Sequence, residues 1–304
     1  MNEPEPSVLQ DLLDEVHRIE VQSNRLVSGA LAGGYRSVFR GSGMEFDEVR
    51  EYAEGDDPRT VDWSVTARVG RPYVKKYVDE RDLAVMFLVD LSASMDAGYG
   101  VWSARQMAAR ICGCLALSAV KNNDKVGLVA FGHEVQRFVP PGKGFRHALR
   151  LVRDCLALPA ASGTGKLEVG IDFAQRTLKR RAIVFLISDF LDGDWFPSLR
   201  LCARHHDVIA VRVASPEWAP PSSGLWRVAD PETGAHTVLD WRSPRVRKGY
   251  AERVQTWKRR TEQLLRRAHV DLMEAPVPRT RQPASVSRPV LEFFRMRELR
   301  GGRR

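Results

Sequence analysis

The chain has 304 residues, 43% of them hydrophobic and 28% charged, with a formal net charge of +9. That length holds one large α/β domain with an accessory region, or two ordinary domains, and the apolar fraction excludes wholesale disorder. The positive balance admits nucleic acid, an anionic membrane or an acidic protein as partner without choosing among them.

The N-terminal MNEPEPSVLQDLLDEV is acidic and lacks the apolar core of a secretory signal. Leu9, Leu12, Leu13, Val16 and Ile19 recur at helical spacing, so residues 7–21 are expected to form a helix capped by Ser7. Residues 1–24 are assigned to this helix. From 25 to 80 the glycines cluster at Gly29, Gly33, Gly34, Gly41, Gly43 and Gly55. This reads as a small irregular region containing strands, one of them over 71–78.

An α/β rhythm follows and defines a third region, 81–278. LAVMFLV at 83–89 is a continuous apolar run, the mark of a parallel strand buried on both faces. Residues 102–120 read as a helix. Residues 125–131 and 134–139 read as strands joined by a tight turn at Gly132 and His133. Helices are expected at 145–156 and 167–179, a second buried strand at 182–187 (AIVFLI), a short helix at 197–204 and a third buried strand at 208–213 (VIAVRV). Residues 225–240 suggest a β-hairpin turning at Asp230-Pro231-Glu232-Thr233-Gly234. A long basic helix at 245–268 and a last strand at 269–273 complete the pattern, with Pro276 and Pro278 ending the domain. Residues 279–304 read as a basic tail, mobile as far as Val290, with a short amphipathic piece after it.

The four cysteines, Cys112, Cys114, Cys155 and Cys202, form no C-x-x-C pair and fall in apolar helical contexts. A free cysteine there behaves as a small hydrophobe, and a reducing cytoplasm is the expected location. No run approaches the roughly 20 apolar residues of a membrane span; the nearest, 111–120, reads as a buried helix.

Strands alternating with helices imply a mostly parallel sheet flanked by helices, whose functional groups gather beyond the C-terminal strand ends. There the first buried strand runs into Asp90-Leu91-Ser92-Ala93-Ser94-Met95 and the second into Ser188-Asp189. In an extended loop Asp90, Ser92 and Ser94 face one side while Leu91, Ala93 and Met95 turn inward. Between the two strands lies Ser162-Gly163-Thr164-Gly165, a flexible loop with one more hydroxyl. Every group is an oxygen donor. Hard cations suit such a set, Mg²⁺ first, with Mn²⁺ or Ca²⁺ as alternatives, and few charged ligands leave the ion open to an anionic oxygen from outside.

D-x-S-x-S with a distal Thr and a later Asp at a strand end resembles the metal-ion-dependent adhesion site of von Willebrand factor A domains, and the resemblance spans about 83–276. It implies a Rossmann-type α/β fold in which Ser92, Ser94 and Thr164 touch the metal. Asp90 and Asp189 hold it mainly through water, and a partner's carboxylate completes the shell. The loop departs from the family pattern at Thr164-Gly165-Lys166, where an acid or second Thr is more usual.

The preceding segment reads Arg36-Ser37, then Gly41-Ser42-Gly43-Met44-Glu45-Phe46, then Arg50-x-Tyr52-x-x-Gly55-Asp56-Asp57-x-Arg59-x-x-Asp62-Trp63-x-x-Thr66-Ala67-Arg68, then Val74-Lys75. This composite motif is similar to a large bacterial and archaeal family of unknown function, domain-of-unknown-function family fifty-eight. Members accompany MoxR-type AAA ATPases, which the resemblance implies as partner. Many members carry N-terminal membrane helices, and a soluble member is implied here. Arg50, Arg59 and Arg68 are placed to pair with Asp56, Asp57 and Asp62, and Trp63 to anchor the segment on the core.

Catalytic motifs are missing. A P-loop ending at Gly165-Lys166 would need Gly at 160 and Ser or Thr at 167, where the chain has Ala160 and Leu167. There is no G-x-G-x-x-G opening a helix after a strand and no G-x-S-x-G elbow, and His133, His205 and His206 lack metal spacing. The expected function is a non-enzymatic, Mg²⁺-dependent adaptor working with a MoxR-type ATPase and an acidic protein ligand. The alternatives are a nucleic-acid factor using the basic stretch 242–267 and, last, a metal-dependent hydrolase.

Overall fold

The computed structural model describes residues 14, 45–53, 56, 61–78, 84–98, 100–161, 165–280 and 284–301. Apart from Asp14, the helix expected at 7–21 lies outside them, as do most of the Gly-rich stretch and Thr164. The chain divides into two compact units, Arg36–Asp82 and the remainder.

In the smaller unit, β1 (Glu45–Glu51) pairs antiparallel with β2 (Tyr73–Val78), with Arg50 opposite Val74. Between them lies α1 (Trp63–Val69). Asp62 caps it by accepting from the N–H groups of Ser64 (2.9 Å) and Val65 (3.3 Å), and Gly70, at φ 75°, closes its other end. Arg50 grips Asp56 with two bonds of 2.8 and 2.6 Å, and Asp56 also accepts from the Ala53 N–H at 2.9 Å. The expected Arg–acid clamp is therefore present at Arg50, whereas Asp62 serves as a helix cap and Arg68 sits in the last turn of α1. Asp57 and Arg59 lie outside the described residues. Trp63 corrects its expectation as a core anchor: it is 73% exposed, on a helix with no buried residue.

The larger unit is built on a six-stranded sheet. Its strands are β3 (Ala84–Asp90), β4 (Lys125–Phe131), β5 (Val135–Gly142), β6 (Ile183–Ser188), β7 (Asp207–Ala214) and β10 (Asp271–Pro276), in the order β10-β7-β6-β3-β4-β5. All pairs are parallel except β4 with β5. The first strand, β3, thus lies inside the sheet, and the chain builds outward first on one side and then on the other. The point between β3 and β6 where that direction reverses is where such sheets open a crevice. The apolar runs read from the sequence occupy the inner strands because both faces are covered.

Side chains alternate across the sheet. One face, with Met86, Leu88, Val129, Phe131, Val184, Leu186, Val208 and Ala210, packs on α5 (Leu167–Thr177), α6 (Phe196–His205) and the end of α7 (Pro244–Arg267). The other carries the stacked pair Phe87 and Phe185, with ring centroids 5.5 Å apart. It meets α3 (Ala104–Lys121), a helix buried almost all round between the sheet, α4 (Phe145–Ala157) and α8 (Ser287–Gly301). Ser103 and Gln106 form a capping box at the start of α3. The four cysteines are free and buried.

The C-terminus differs from its expectation as a basic tail. Helix α8 buries Val290, Phe293 and Phe294, and Arg297 pairs with Asp207 (2.6 Å) and Asp271 (2.9 Å). The apolar spacing at 286, 290, 293 and 294 makes one helical stripe, and its burial outweighs the charge of the intervening arginines. The last strand also begins later than expected, because His269 takes a left-handed turn (φ 57°) before Asp271. Among the described residues no helix is long and apolar enough to cross a membrane.

Candidate metal-binding site

Asp90 ends β3 and Asp189 follows β6, its neighbour, so the two acids emerge side by side at the reversal point. The loop after β3 is pinned before its polar groups are placed. The Leu91 N–H donates to the Phe131 carbonyl (2.7 Å), the Ala161 N–H donates to the Leu91 carbonyl (2.8 Å), and Leu91 and Met95 are fully buried. The loop is not extended throughout, as the alternation suggested. Ser92 precedes one helical turn, α2 (Ala93–Asp96), in which the Met95 N–H donates to the Ser92 carbonyl at 3.0 Å. That turn swings Ser94 back so that its hydroxyl oxygen lies 3.1 Å from that of Ser92.

Asp90 accepts from the Ser92 N–H at 2.8 Å and from the Ser188 hydroxyl at 2.7 Å. Asp189 accepts from the Leu191 N–H at 3.1 Å, and the nearby Ser94 hydroxyl favours its ionised form. Four of the five residues singled out in the sequence are therefore brought together. The fifth, Thr164, lies outside the described residues, but Gly165 beside it is close. A Cβ built on Gly165 would stand 2.5 Å from the Ser92 Cβ and 3.4 Å from Asp90 Oδ1, so only glycine lets this loop approach so near. The Lys166 charge bears on Glu168.

Both acids are buried, Asp90 at 4% and Asp189 at 5% exposure. Burial and then the neighbouring Asp189 charge push the Asp90 carboxyl up to about 7, against the hydrogen bonds from Ser188 and Ser92. Burial likewise raises Asp189, opposed by Ser94 and the Leu191 N–H. The groups that bond to the acids are neutral hydroxyls and amides. They orient the carboxylates without cancelling their charge.

The sequence reading missed four contributors. Ser188 bridges the two strand ends, donating to Asp90 and accepting from the Phe190 N–H at 2.9 Å. Phe190 holds a left-handed backbone (φ 60°), which a buried bulky residue adopts only where its surroundings dictate it. Its carbonyl accepts from Trp257 at 3.1 Å. Asp192 ties the two loops together by accepting from the Leu167 N–H at 3.0 Å. Glu232, in the turn between β8 (Leu225–Ala229) and β9 (His236–Asp240), is half-buried, and burial first and then the Asp90 charge raise its carboxyl. No local signal marks any of these roles, although a hairpin inserted after the C-terminal end of β7 must emerge on this edge of the sheet.

The donor set is two carboxylates and hydroxyls, all hard oxygens. Among the described residues no three His, Cys, Asp or Glu side chains cluster at metal-binding distance. Those residues hold no preformed acid-rich cage of the kind that suits Ca²⁺. A small hard cation that keeps several waters, such as Mg²⁺, fits what is present.

A family model for a protein of unknown function, DUF58, matches residues 48–260. The uncharacterized protein Rv1480 of Mycobacterium tuberculosis is 32% identical over 240 residues, covering 75% of this chain and 75% of the relative. The uncharacterized protein Mb1516 of Mycobacterium bovis is similar to the same degree, at 32%. Among solved structures, the conserved hypothetical protein BatB from Bacteroides thetaiotaomicron aligns at TM-score 0.43 and 16% identity over 73% of this chain and 100% of its own. The SpRpn10 VWA domain aligns at TM-score 0.40 and 13% identity, over 69% of this chain and 94% of its own. At such scores the fold assignment stands on this chain's own strand order.

Proposed function

This chain belongs to the DUF58 family, and from that premise we propose that it is a Mg²⁺-dependent protein-interaction module. Asp90, Ser92, Ser94, Thr164 and Asp189 are the residues that would hold the ion. When bound, the ion supplies a positive centre with an exchangeable position that an acidic side chain of a partner protein fills. The observation that carries this reading is the buried Asp90–Asp189 pair, oriented among the described residues by neutral donors. Such a pair is costly without a cation. The chain's own part is to fix the two carboxylates through Ser188 and the backbone, and to present the serine hydroxyls on one side. No catalytic step is assigned to the site.

The partner we propose is a MoxR-type AAA ATPase, with this protein acting as its adaptor to another complex. The test is capture of the purified ATPase by the immobilised full chain with Mg²⁺ or with EDTA. Capture is expected with Mg²⁺ and lost with EDTA or in the Asp90→Ala, Ser92→Ala double variant. Undiminished capture by that variant sinks the proposal.

The nucleic-acid alternative loses ground, because several cations of the basic stretch are engaged within the fold. Arg242 pairs with Asp240 (2.9 Å), Arg247 donates to the Trp241 and Arg242 carbonyls, Lys258 lies over Trp218 and Arg267 over Phe196.

A further inference from the structure

On the edge of the sheet that carries Asp90 and Asp189, the next two strands end on a groove. β7 stops at Ala214 and β10 at Pro276, which are paired, and beyond them the Val277 N–H donates to the Ala214 carbonyl at 2.9 Å. The chain leaving β7 makes a short 3₁₀ turn, Pro216–Trp218, and the Tyr250 hydroxyl fixes it by donating to the Glu217 carbonyl at 2.8 Å. Prolines at 216, 220 and 276 lack the N–H that would carry a strand ladder further. An open groove of about 450 Å³ lies between this turn, α7 and the end of β10.

The chemistry of the groove is one-sided. Pro216, Trp218, Val254 and Val277 wall it, Lys258 and Arg279 are its charged residues, and among the described residues no acid lines it. Lys258 Nζ lies over the Trp218 ring, 5.2 Å from its centroid, and Trp257 meets Trp218 edge-on at 4.7 Å. Trp218 is therefore a braced apolar wall that seats a cation, and its ring is not a free platform for stacking a base. Among the described residues no ion pair engages Lys258 or Arg279.

We propose that this groove docks an acidic segment of a partner protein, which sets one apolar side chain against Trp218 and a carboxylate between Lys258 and Arg279. Charge decides the occupant. Two cations without an acid, on apolar walls, favour an apolar residue flanked by carboxylates, and the chain as a whole carries +9. A tryptophan wall beside a cation is the kind of place where binding energy concentrates. The groove needs no ion, so it is a second contact beside the proposed metal site. Trp257 joins the two, because its indole N–H donates at 3.1 Å to the carbonyl of Phe190, the residue after Asp189.

The experiment follows fluorescence polarisation of a fluorescein-labelled peptide, glutamates around a central leucine, on the full chain in EDTA. With the ion withheld, this proposal and the metal reading fail separately. Wild type is expected to bind, and Lys258→Gln and Arg279→Glu each to weaken binding about tenfold. Arg259→Glu makes the same change of charge at an exposed position of α7 outside the groove, and is expected to stay within about twofold of wild type. Equal losses in Arg259→Glu and Arg279→Glu overturn the inference, because attraction to a basic chain then explains the binding. Equal binding of a peptide with alanine in place of leucine also overturns it, because the apolar wall then contributes nothing. Tighter binding of a thymidine oligonucleotide than of the peptide, lost in Arg279→Glu, assigns the groove to nucleic acid instead. Absence of peptide binding by wild type removes the docking site while the metal reading stands.

Discussion

Two places in one sheet bury charge, and they resolve it in opposite ways. Arg212 in β7 is fully buried, at 0% exposure. Its guanidinium donates to Glu274, to Glu262 at 3.0 Å and to the Lys258 carbonyl at 3.3 Å, with Trp257 5.4 Å from its centre. The protein supplies the counter-charge there from β10 and α7. At the reversal point the buried charges are Asp90 and Asp189, and their bonding partners are serine hydroxyls and amides. The first arrangement is complete within the fold, whereas the second is organised but, among the described residues, uncompensated. A closed ion cluster supports structure, and an open one asks for something from outside.

The largest test of that contrast is on the closed side. Glu274→Ala leaves Arg212 buried with a reduced set of acceptors and is expected to cost about 3 kcal/mol in urea unfolding. A loss below about 0.5 kcal/mol, the range of ordinary surface changes, would mean that the cluster is not closed as described.

The open side is expected to behave in reverse. Mg²⁺ at a hundredfold over its dissociation constant should stabilise the wild type by about 2.7 kcal/mol, read as a rise in melting temperature. Asp90→Asn should abolish that gain while leaving the metal-free protein at least as stable, since it removes one of two facing charges. An equal Mg²⁺ response in both proteins would break the comparison.

A smaller effect follows from protons. In the metal-free folded protein the Asp90 carboxyl, pushed up to about 7, keeps its proton where the unfolded chain, with an ordinary value of 3.8, has lost it. Between those values the folded state binds more protons. The contribution of Asp90 to stability is therefore present below pH 4 and is lost as pH rises through 7. Melting curves across that window should show the decline in wild type and a flatter profile in Asp90→Asn. Identical profiles would place Asp90 in a more solvated setting than its burial indicates.

Much of this was legible in the sequence because it is local. Period and run length marked β3, β6 and β7, since a strand covered on both faces must be continuously apolar. The Asp230–Gly234 turn was legible from turn chemistry. Asp90, Ser92, Ser94 and Asp189 were legible because each lies within a few residues of such a strand end. Trp63 misled, because a large aromatic reads as core by composition while its place at the start of α1 turns it outward. Helix α8 was underrated because arginine density masked an apolar stripe.

Local pattern thus determined the α/β class, the inner strands and the residues at their ends, because these depend on burial and spacing along the chain. Tertiary structure alone decided that β3 and β6 adjoin, that the Ser188 hydroxyl bridges to Asp90 across 98 residues, and that Arg212 finds its acids on β10 and α7. Those meetings depend on strand order and loop register, and no spacing within a single segment encodes either.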